Sequence, residues 1–242
     1  MSGETFWRAW VDFFFPPKCI FCGKSQGKWV PEQPCSPCLS QIKFFSSPRC
    51  PRCGLGFAGK PGEDHLCSDC ITEERYFNRA RALGPYEGLI LEAISRFKYH
   101  GVSRLALPLG HLLAEYQDAD FALSEFDLVL PVPLHPKRLR QRGFNQSLLL
   151  ARRISRRRSI PLDFTALLRI HHTQPQTRLS GPERQKNIRG AFVVERPERV
   201  TGKKILLIDD VFTTGATVQE CSKVLLQAGA SQVDVLTLAR VN

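Results

Sequence analysis

Apolar residues recur in two different patterns along the chain after about residue 75. Some stretches repeat them every three or four positions, which predicts amphipathic helices, and others are short apolar runs, which predict buried strands. The predicted helices are Glu87–Lys98, Arg104–Tyr116, Asn145–Arg158 and Val218–Ala228. The predicted strands are Asp127–Val132, Ala191–Glu195, Lys204–Ile208 and Gln232–Leu238. Strands that alternate with helices indicate an α/β fold with a mainly parallel sheet covered on both faces.

Residues 1–75 lack this alternation and instead contain eight of the nine cysteines, arranged as four Cys-x-x-Cys pairs. The pairs are Cys19 with Cys22, Cys35 with Cys38, Cys50 with Cys53, and Cys67 with Cys70. Because each pair points two thiolates at one place, two pairs can complete a tetrahedral Zn²⁺ site. The sequence therefore predicts a small module with structural zinc at residues 1–75, followed by a second domain at residues 76–242.

Two features of this cysteine module stay open at the level of sequence. A disulfide framework would use the same residues, but it needs an oxidising compartment, and no export signal is visible. Joining the first pair with the second and the third with the fourth is the simpler arrangement, although the spacing also allows an interleaved one. Since no apolar run is long enough to span a bilayer, we expect a cytoplasmic protein without a membrane span.

The formal net charge of +11 is unevenly distributed along the chain. Residues 1–75 hold nine Lys and Arg against eight Asp and Glu, whereas residues 76–242 hold twenty-five against fifteen. This surplus predicts an anionic partner, either a phosphorylated metabolite or nucleic acid. One predicted helix is strongly basic and forms either an exposed polar face or a track for single-stranded DNA. Its arginines are Arg152, Arg153, Arg156, Arg157 and Arg158.

The segment Ile205–Thr217 combines a buried strand, two adjacent acids and a loop of Thr and Gly that leads into a helix. The loop amides and the helix N-terminus offer N–H groups and a positive dipole to an anion. Gly215 lets the backbone approach a phosphate closely. Asp209 and Asp210 can accept hydrogen bonds from ribose hydroxyls, directly or through water on Mg²⁺. A polar turn that only caps the helix would not explain two consecutive acids.

The same segment resembles, position for position, the signature of the type I phosphoribosyltransferases. By this resemblance Asp209 and Asp210 hold the ribose hydroxyls of 5-phosphoribosyl 1-pyrophosphate (PRPP), and the following loop holds its 5′-phosphate. The loop residues are Thr213, Thr214, Gly215, Ala216 and Thr217. Three further stretches, together with the cysteine module, make nearly the whole chain similar to the ComF (competence protein F) family. These stretches are Phe97–Gly101, Leu130–Gln146 and Thr173–Leu179 with the residues that follow it.

The resemblance also implies where the rest of PRPP would bind. Type I transferases hold the pyrophosphate after the first core strand, and Lys137, Arg138 and Arg142 follow that strand here. Guanidinium groups suit polyphosphate oxygens because they bind them in bidentate geometry. The polar run His171–Arg184 resembles the flexible loop of the family, which would close over the site and exclude water. Its candidate site residues are Gln174, Gln176, Arg184 and the nearby Asn187.

Three functions are consistent with these features. The first is a phosphoribosyltransferase that uses PRPP with Mg²⁺ and an acceptor the sequence does not identify, with no obvious catalytic base. The second is a non-catalytic factor that keeps the fold and binds single-stranded DNA or senses the metabolite. The family's link to DNA uptake implies a role in natural competence, with protein partners from the DNA-uptake machinery. The third, a structural adaptor built on the zinc module, leaves Asp209 and Asp210 unexplained.

Overall fold

The computed structural model describes residues 18–26, 34–57, 62–172 and 187–241. Its main strands are β1 (Ala80–Pro85), β2 (Leu128–Pro131), β5 (Lys204–Phe212) and β6 (Gln232–Arg240). They form one parallel sheet in the order β1–β6–β5–β2. Two short antiparallel strands, β3 (Leu167–Arg169) and β4 (Phe192–Val194), form a separate ribbon. The predicted α/β class with a mainly parallel sheet is therefore confirmed.

Helices cover both faces of this sheet because alternate residues of each buried strand point to opposite sides. The helices are α1 (Ser36–Leu39), α2 (Ser68–Thr72), α3 (Gly88–Tyr99), α4 (Ala106–Ala114), α5 (Pro136–Arg142), α6 (Gln146–Arg158) and α7 (Ala216–Gln227). On one face, α3, α4 and α6 pack against Leu206, Ile208 and neighbouring strand residues. On the other face, α7 and the β3–β4 ribbon pack against Ile205, Leu207 and theirs. None of the helices within the described ranges has the length and apolarity that a membrane span requires.

All eight predicted helices and strands are present, but one strand ends later than predicted, and this affects the site. The predicted strand Lys204–Ile208 continues as β5 to Phe212, since its last residues still pair with β6. Asp209 and Asp210 therefore lie within the strand and not in the loop after it. The elements that were not predicted include the short helices α1 and α2 of the cysteine module, strands β1 and β3, and helix α5, which carries Lys137, Arg138 and Arg142.

The cysteine module packs along β1, which is an edge strand of the sheet. The backbone N–H of Phe45 donates to the carbonyl of Leu83 at 2.8 Å, and that of Ala80 donates to the carbonyl of Arg52 at 2.7 Å. At Gly84 an added Cβ would lie 1.9 Å from the carbonyl oxygen of Lys43, so only glycine allows this approach. The module thus satisfies part of an edge that could otherwise pair with another chain.

Candidate functional site

A cavity of about 290 Å³ lies where β2 and β5 reach their carboxyl ends, the side on which parallel sheets bind ligands. Its wall combines acids from β5, basic residues from α5 and polar residues from α3 and α6. The lining includes Tyr86, Lys98, Tyr99, Arg138, Arg142, Gln146, Ser147, Arg169, Asp209, Asp210, Thr213, Gly215 and Thr217. Segments more than 100 residues apart in the chain therefore build one polar pocket.

The two acids of β5 have different partners within this pocket. The ammonium group of Lys98 lies 2.8 Å from Oδ1 of Asp210, and the two side chains are largely buried. The hydroxyl of Ser147 donates to Oδ1 of Asp209 at 3.0 Å, and the backbone N–H of Asp210 donates to the same oxygen at 2.9 Å. Lys98 was not predicted as a site residue; it reaches the acids from α3, 112 residues earlier in the chain.

Burial and the neighbouring charges set the protonation of this cluster. Burial raises the pKa of Asp209 to about 7, and the adjacent charge of Asp210 acts in the same direction against the opposing effect of Lys98. For Lys98, burial alone would lower the pKa, but the contact with Asp210 outweighs it and the net shift is upward. Near neutral pH Lys98 is therefore an ammonium ion, while Asp209 holds a proton more readily than an ordinary aspartate does.

The loop after β5 forms the N-terminal end of α7 and faces the cavity. Gly215 is the N-cap of α7 and has φ of 78°, a left-handed conformation that favours glycine. A Cβ at this position would lie 2.5 Å from Cζ of Phe212, so the close packing of the ring also requires glycine. Thr213, Gly215 and Thr217 line the cavity, whereas the hydroxyl of Thr214 accepts a hydrogen bond from the backbone N–H of Ala216. The arrangement suits an anion because helix N–H groups and hydroxyls converge there.

The basic residues of α5 divide into two groups. Arg138 and Arg142 line the cavity, whereas Lys137 is exposed on the first turn of the helix. Arg142 donates to Oε1 of Gln146 at 3.0 Å, and its guanidinium lies 5.7 Å from the ring centre of Tyr99. His135 also lines the cavity and caps α5, since its ring Nδ1 accepts a hydrogen bond from the backbone N–H of Lys137 at 3.2 Å.

The predicted flexible loop falls largely outside the described residues. Gln174, Gln176 and Arg184 lie in the part of the chain that the structure does not describe, while Asn187 is half-buried at the start of the next described range. Arg169, just before that loop, lines the cavity with its guanidinium 5.4 Å from the ring centre of Phe192. Burial lowers the pKa of this guanidinium.

The eight paired cysteines form two separate quartets. One contains Cys19, Cys22, Cys35 and Cys38, and the other contains Cys50, Cys53, Cys67 and Cys70. The sulfur atoms of Cys19 and Cys38 are 3.9 Å apart, those of Cys22 and Cys35 3.7 Å, and those of Cys53 and Cys67 3.5 Å. Four thiolates on one Zn²⁺ at about 2.3 Å would be roughly 3.8 Å apart, whereas a disulfide is about 2 Å long. The quartets therefore fit structural zinc, and the sequential pairing is confirmed.

Comparison with known proteins agrees with this two-part architecture. A double zinc ribbon domain matches residues 10–71, and a phosphoribosyl transferase domain matches residues 145–242. Competence protein F of Haemophilus influenzae is 31% identical over 231 residues, which cover 94% of this chain and 98% of that protein. The chain belongs to the competence protein F (ComF) family. DNA utilization protein YhgH of Escherichia coli K12 is 33% identical over 85% of this chain and 89% of its own length. Competence protein ComFC of Bacillus subtilis is 30% identical over 86% of this chain and 85% of its own length.

The phosphoribosyl transferase match accounts for only part of this ComF-family pocket. It begins at residue 145 and so includes Ser147, the two acids and the loop Thr213–Thr217, which is the phosphate-type loop of this pocket. Lys98, Arg138 and Arg142 come from earlier segments, between the two matched domains. The pocket is thus built jointly from the matched domain and from the 73 residues that separate it from the zinc ribbons.

Proposed function

We propose that this chain binds PRPP with Mg²⁺ in the 290 Å³ cavity and transfers its phosphoribosyl group to an acceptor during DNA uptake. The observation that supports the proposal is the convergence of three kinds of group on one pocket. An acid pair, an anion-binding loop at a helix N-terminus and two arginines line the same cavity, and their chemistry suits one ribose with a phosphate group on either side.

The proposed orientation of PRPP follows from the chemistry of each wall. The ribose hydroxyls donate to Asp209 and Asp210, and the 5′-phosphate accepts from the loop Thr213–Thr217. The pyrophosphate lies against Arg138 and Arg142, with Lys137 able to approach from the exposed side of α5. We further propose that Gln174, Gln176, Arg184 and Asn187 help to close the site. Mg²⁺ prefers oxygen ligands and would bind together with the pyrophosphate. The carboxylates of Asp209 and Asp210 are oxygen ligands of the kind that Mg²⁺ accepts.

Within this orientation the chain contributes mainly positioning and electrostatic stabilisation. The acceptor forms a bond to the anomeric carbon, the bond from that carbon to the pyrophosphate oxygen breaks, and pyrophosphate leaves. Arg138 and Arg142 stabilise the charge that develops on the leaving group, and the acids fix the ribose against the loop. Lys98 keeps Asp210 paired with a cation before the ligand arrives.

The relatives support the biological setting of the proposal. Their names describe competence and DNA utilization, and they match this chain over most of its length. A role in DNA uptake, carried out together with protein partners of the uptake machinery, is therefore the setting we propose. The second candidate is a non-catalytic factor that binds single-stranded DNA, and the exposure of Arg152 and Arg156 on α6 favours it.

Calorimetric titration of PRPP with Mg²⁺ tests the proposal directly. The double variant Asp209→Asn with Asp210→Asn keeps the shape of both side chains but removes their charge-assisted hydrogen bonds. Since such bonds contribute about 1.5–3 kcal/mol each, we expect affinity to fall by about 100-fold or more. The matched control is Glu195→Gln with Glu198→Gln, which makes the same change in net charge at two exposed positions.

Transfer is measured separately from binding, by release of labelled pyrophosphate with bases, amines and nucleic acids as acceptors. Binding without release for any acceptor would support the non-catalytic candidate. If the wild-type chain does not bind PRPP, or if the acid variant binds it as tightly as the control, the proposed function is wrong.

A further inference from the structure

Arg240, near the end of β6, connects the second cysteine quartet to the phosphate-type loop. Its side chain is buried, with 7% of the residue exposed. One guanidinium nitrogen donates to the carbonyl oxygen of Cys53 at 3.0 Å, within the Cys-x-x-Cys turn of that quartet. The carbon of the same guanidinium lies 4.3 Å from the ring centre of Phe212.

The position of this contact follows from the register of the sheet. Arg240 and Phe212 are directly paired on β6 and β5, so their side chains lie on the same face. The ring of Phe212 in turn packs against Gly215, where an added Cβ would lie 2.5 Å from it. A continuous series of contacts therefore runs from Cys53 through Arg240 and Phe212 to Gly215, the N-cap of α7.

The partners of Arg240 indicate why an arginine is in this place. Among the described residues, no carboxylate lies within ion-pair distance of Arg240, and its Nε has no hydrogen-bond partner. The second quartet supplies countercharge instead: burial raises the pKa of the Cys53 thiol, and the charge of Arg240 acts against that shift. Any cation would meet that need. The guanidinium is, however, the group that can bind a carbonyl and an aromatic face at the same time.

We propose that Arg240 is a positioning residue that makes the shape of the phosphate-type loop depend on the second cysteine quartet. The guanidinium holds the ring of Phe212 in place, and the ring holds Gly215 in its left-handed conformation. The consequence for PRPP rests on the proposed function: a quartet that holds its metal keeps the loop ready to bind the 5′-phosphate. By linkage, a ligand on the loop also stabilises the second quartet.

Hydrogen–deuterium exchange of the zinc-loaded full chain measures how strongly the backbone amides of the loop are protected, and it needs no ligand. We expect Arg240→Met to speed exchange of the amides in Thr213–Thr217 by about fivefold or more, the lower range of coupling between sites. The matched control is Arg96→Met, because Arg96 makes the same kind of bond, 3.0 Å long, to the carbonyl of Phe21 in the first quartet. Equal exchange in the loop of both variants would overturn the proposal.

A second variant covers the case in which Arg240→Met loses zinc or does not fold. Phe212→Leu keeps the bond between Arg240 and Cys53 but removes the ring that touches Gly215. We expect this variant to retain two zinc ions per chain and still show faster exchange in Thr213–Thr217. Retained zinc with unchanged exchange in the loop would contradict the proposed role of Arg240.

The reciprocal effect gives a signal that a merely structural role would not produce. PRPP with Mg²⁺ should slow alkylation of Cys50, Cys53, Cys67 and Cys70 in the wild-type chain, and this slowing should be absent in Arg240→Met. The four cysteines of the first quartet, followed peptide by peptide, serve as the internal control. If PRPP does not bind at all but loop exchange still depends on Arg240, the proposed function fails while the positioning role stands.

Discussion

Asp209 and Asp210 are adjacent on β5, yet the structure gives them different electrostatic surroundings. Asp210 has a cation within 2.8 Å, the ammonium group of Lys98. The hydrogen bonds to Asp209 come from neutral groups, the hydroxyl of Ser147 and the backbone N–H of Asp210, and the charge of Lys98 offsets its burial only in part. Burial therefore raises the pKa of Asp209 to about 7, whereas an exposed aspartate titrates near 3.9. One acid of the pair thus changes its charge in the physiological range of pH.

This difference predicts a pH dependence of stability that can be assigned to Asp209. Because the folded pKa is raised, the folded state binds the extra proton, and the stabilisation is complete below about pH 4 and is lost as pH rises through about 7. Asp209→Asn stays neutral throughout. Its free energy of unfolding should therefore rise relative to that of the wild type between pH 5.5 and 8. A shift of roughly 3 pKa units corresponds to about 4 kcal/mol between pH 4 and 7, of which at most about 2 kcal/mol falls above pH 5.5.

Urea unfolding at several pH values measures the free energy of unfolding of both chains. Because both chains keep the same cysteines, effects of pH on zinc binding cancel when the two values are subtracted. A difference between wild type and Asp209→Asn that is constant from pH 5.5 to 8 would show that Asp209 does not titrate there.

At the scale of elements, α6 is less uniformly basic than its sequence suggests. Arg157 and Arg158 contact Glu115 at the end of α4, and Arg158 also donates to the carbonyl of Ala114. The hydrogen bond from Arg157 lowers the pKa of Glu115, which keeps that carboxylate ionised. Arg152 and Arg156 are exposed on the same helix. The cationic surface available to a polyanion is therefore concentrated at these two arginines.

This division predicts which arginines of α6 contribute to binding of single-stranded DNA. Binding of a labelled oligonucleotide, measured by anisotropy at several salt concentrations, should depend less steeply on salt in Arg152→Gln with Arg156→Gln. Each lost phosphate contact reduces the slope of log K against log salt by roughly 0.7. The control, Arg157→Gln with Arg158→Gln, makes the same charge change but removes two cations that share the carboxylate of Glu115, so we expect a smaller loss of slope. An equal loss of slope in both variants would contradict this assignment.

The elements that the sequence did not predict have physical reasons for being missed. Strand β1 has the sequence Ala-Arg-Ala-Leu-Gly-Pro, and its buried Arg81 pairs with Asp118 at 3.1 Å, so it lacks an apolar run. Helix α5 buries no residue, and apolar periodicity therefore cannot reveal it, although Pro136 and Gly143 are typical first and last signals. By contrast, the acid pair and its loop are contiguous in sequence, which is why Ile205–Thr217 could be recognised. The contact of Lys98 with Asp210 depends on tertiary packing that no local spacing encodes.

At the scale of the whole molecule, the cysteine quartets are part of the main core. Cys19, Phe21 and Cys38 belong to the apolar cluster that α3, α4 and α6 form on one face of the sheet. The second quartet belongs to the cluster under α7 on the other face. The described residues between 18 and 75 therefore pack around the β1 edge and contact both layers. The boundary that we proposed after residue 75 divides the sequence at a change of pattern, but the two parts share their apolar interior.

Shared packing predicts that the zinc module and the sheet unfold together. Removing zinc with a chelator under reducing conditions would leave buried thiols without their metal and free the edge of β1, because Phe45 and Arg52 would no longer hold it. Loss of several kcal/mol should lower the midpoint of thermal unfolding by roughly 10 °C or more, since each kcal/mol corresponds to about 2–4 °C for a chain of this size. Calorimetry should show one transition with zinc and one, at lower temperature, without it. Two transitions, with the upper one unchanged by the chelator, would instead mean that residues 76–242 fold as an independent unit.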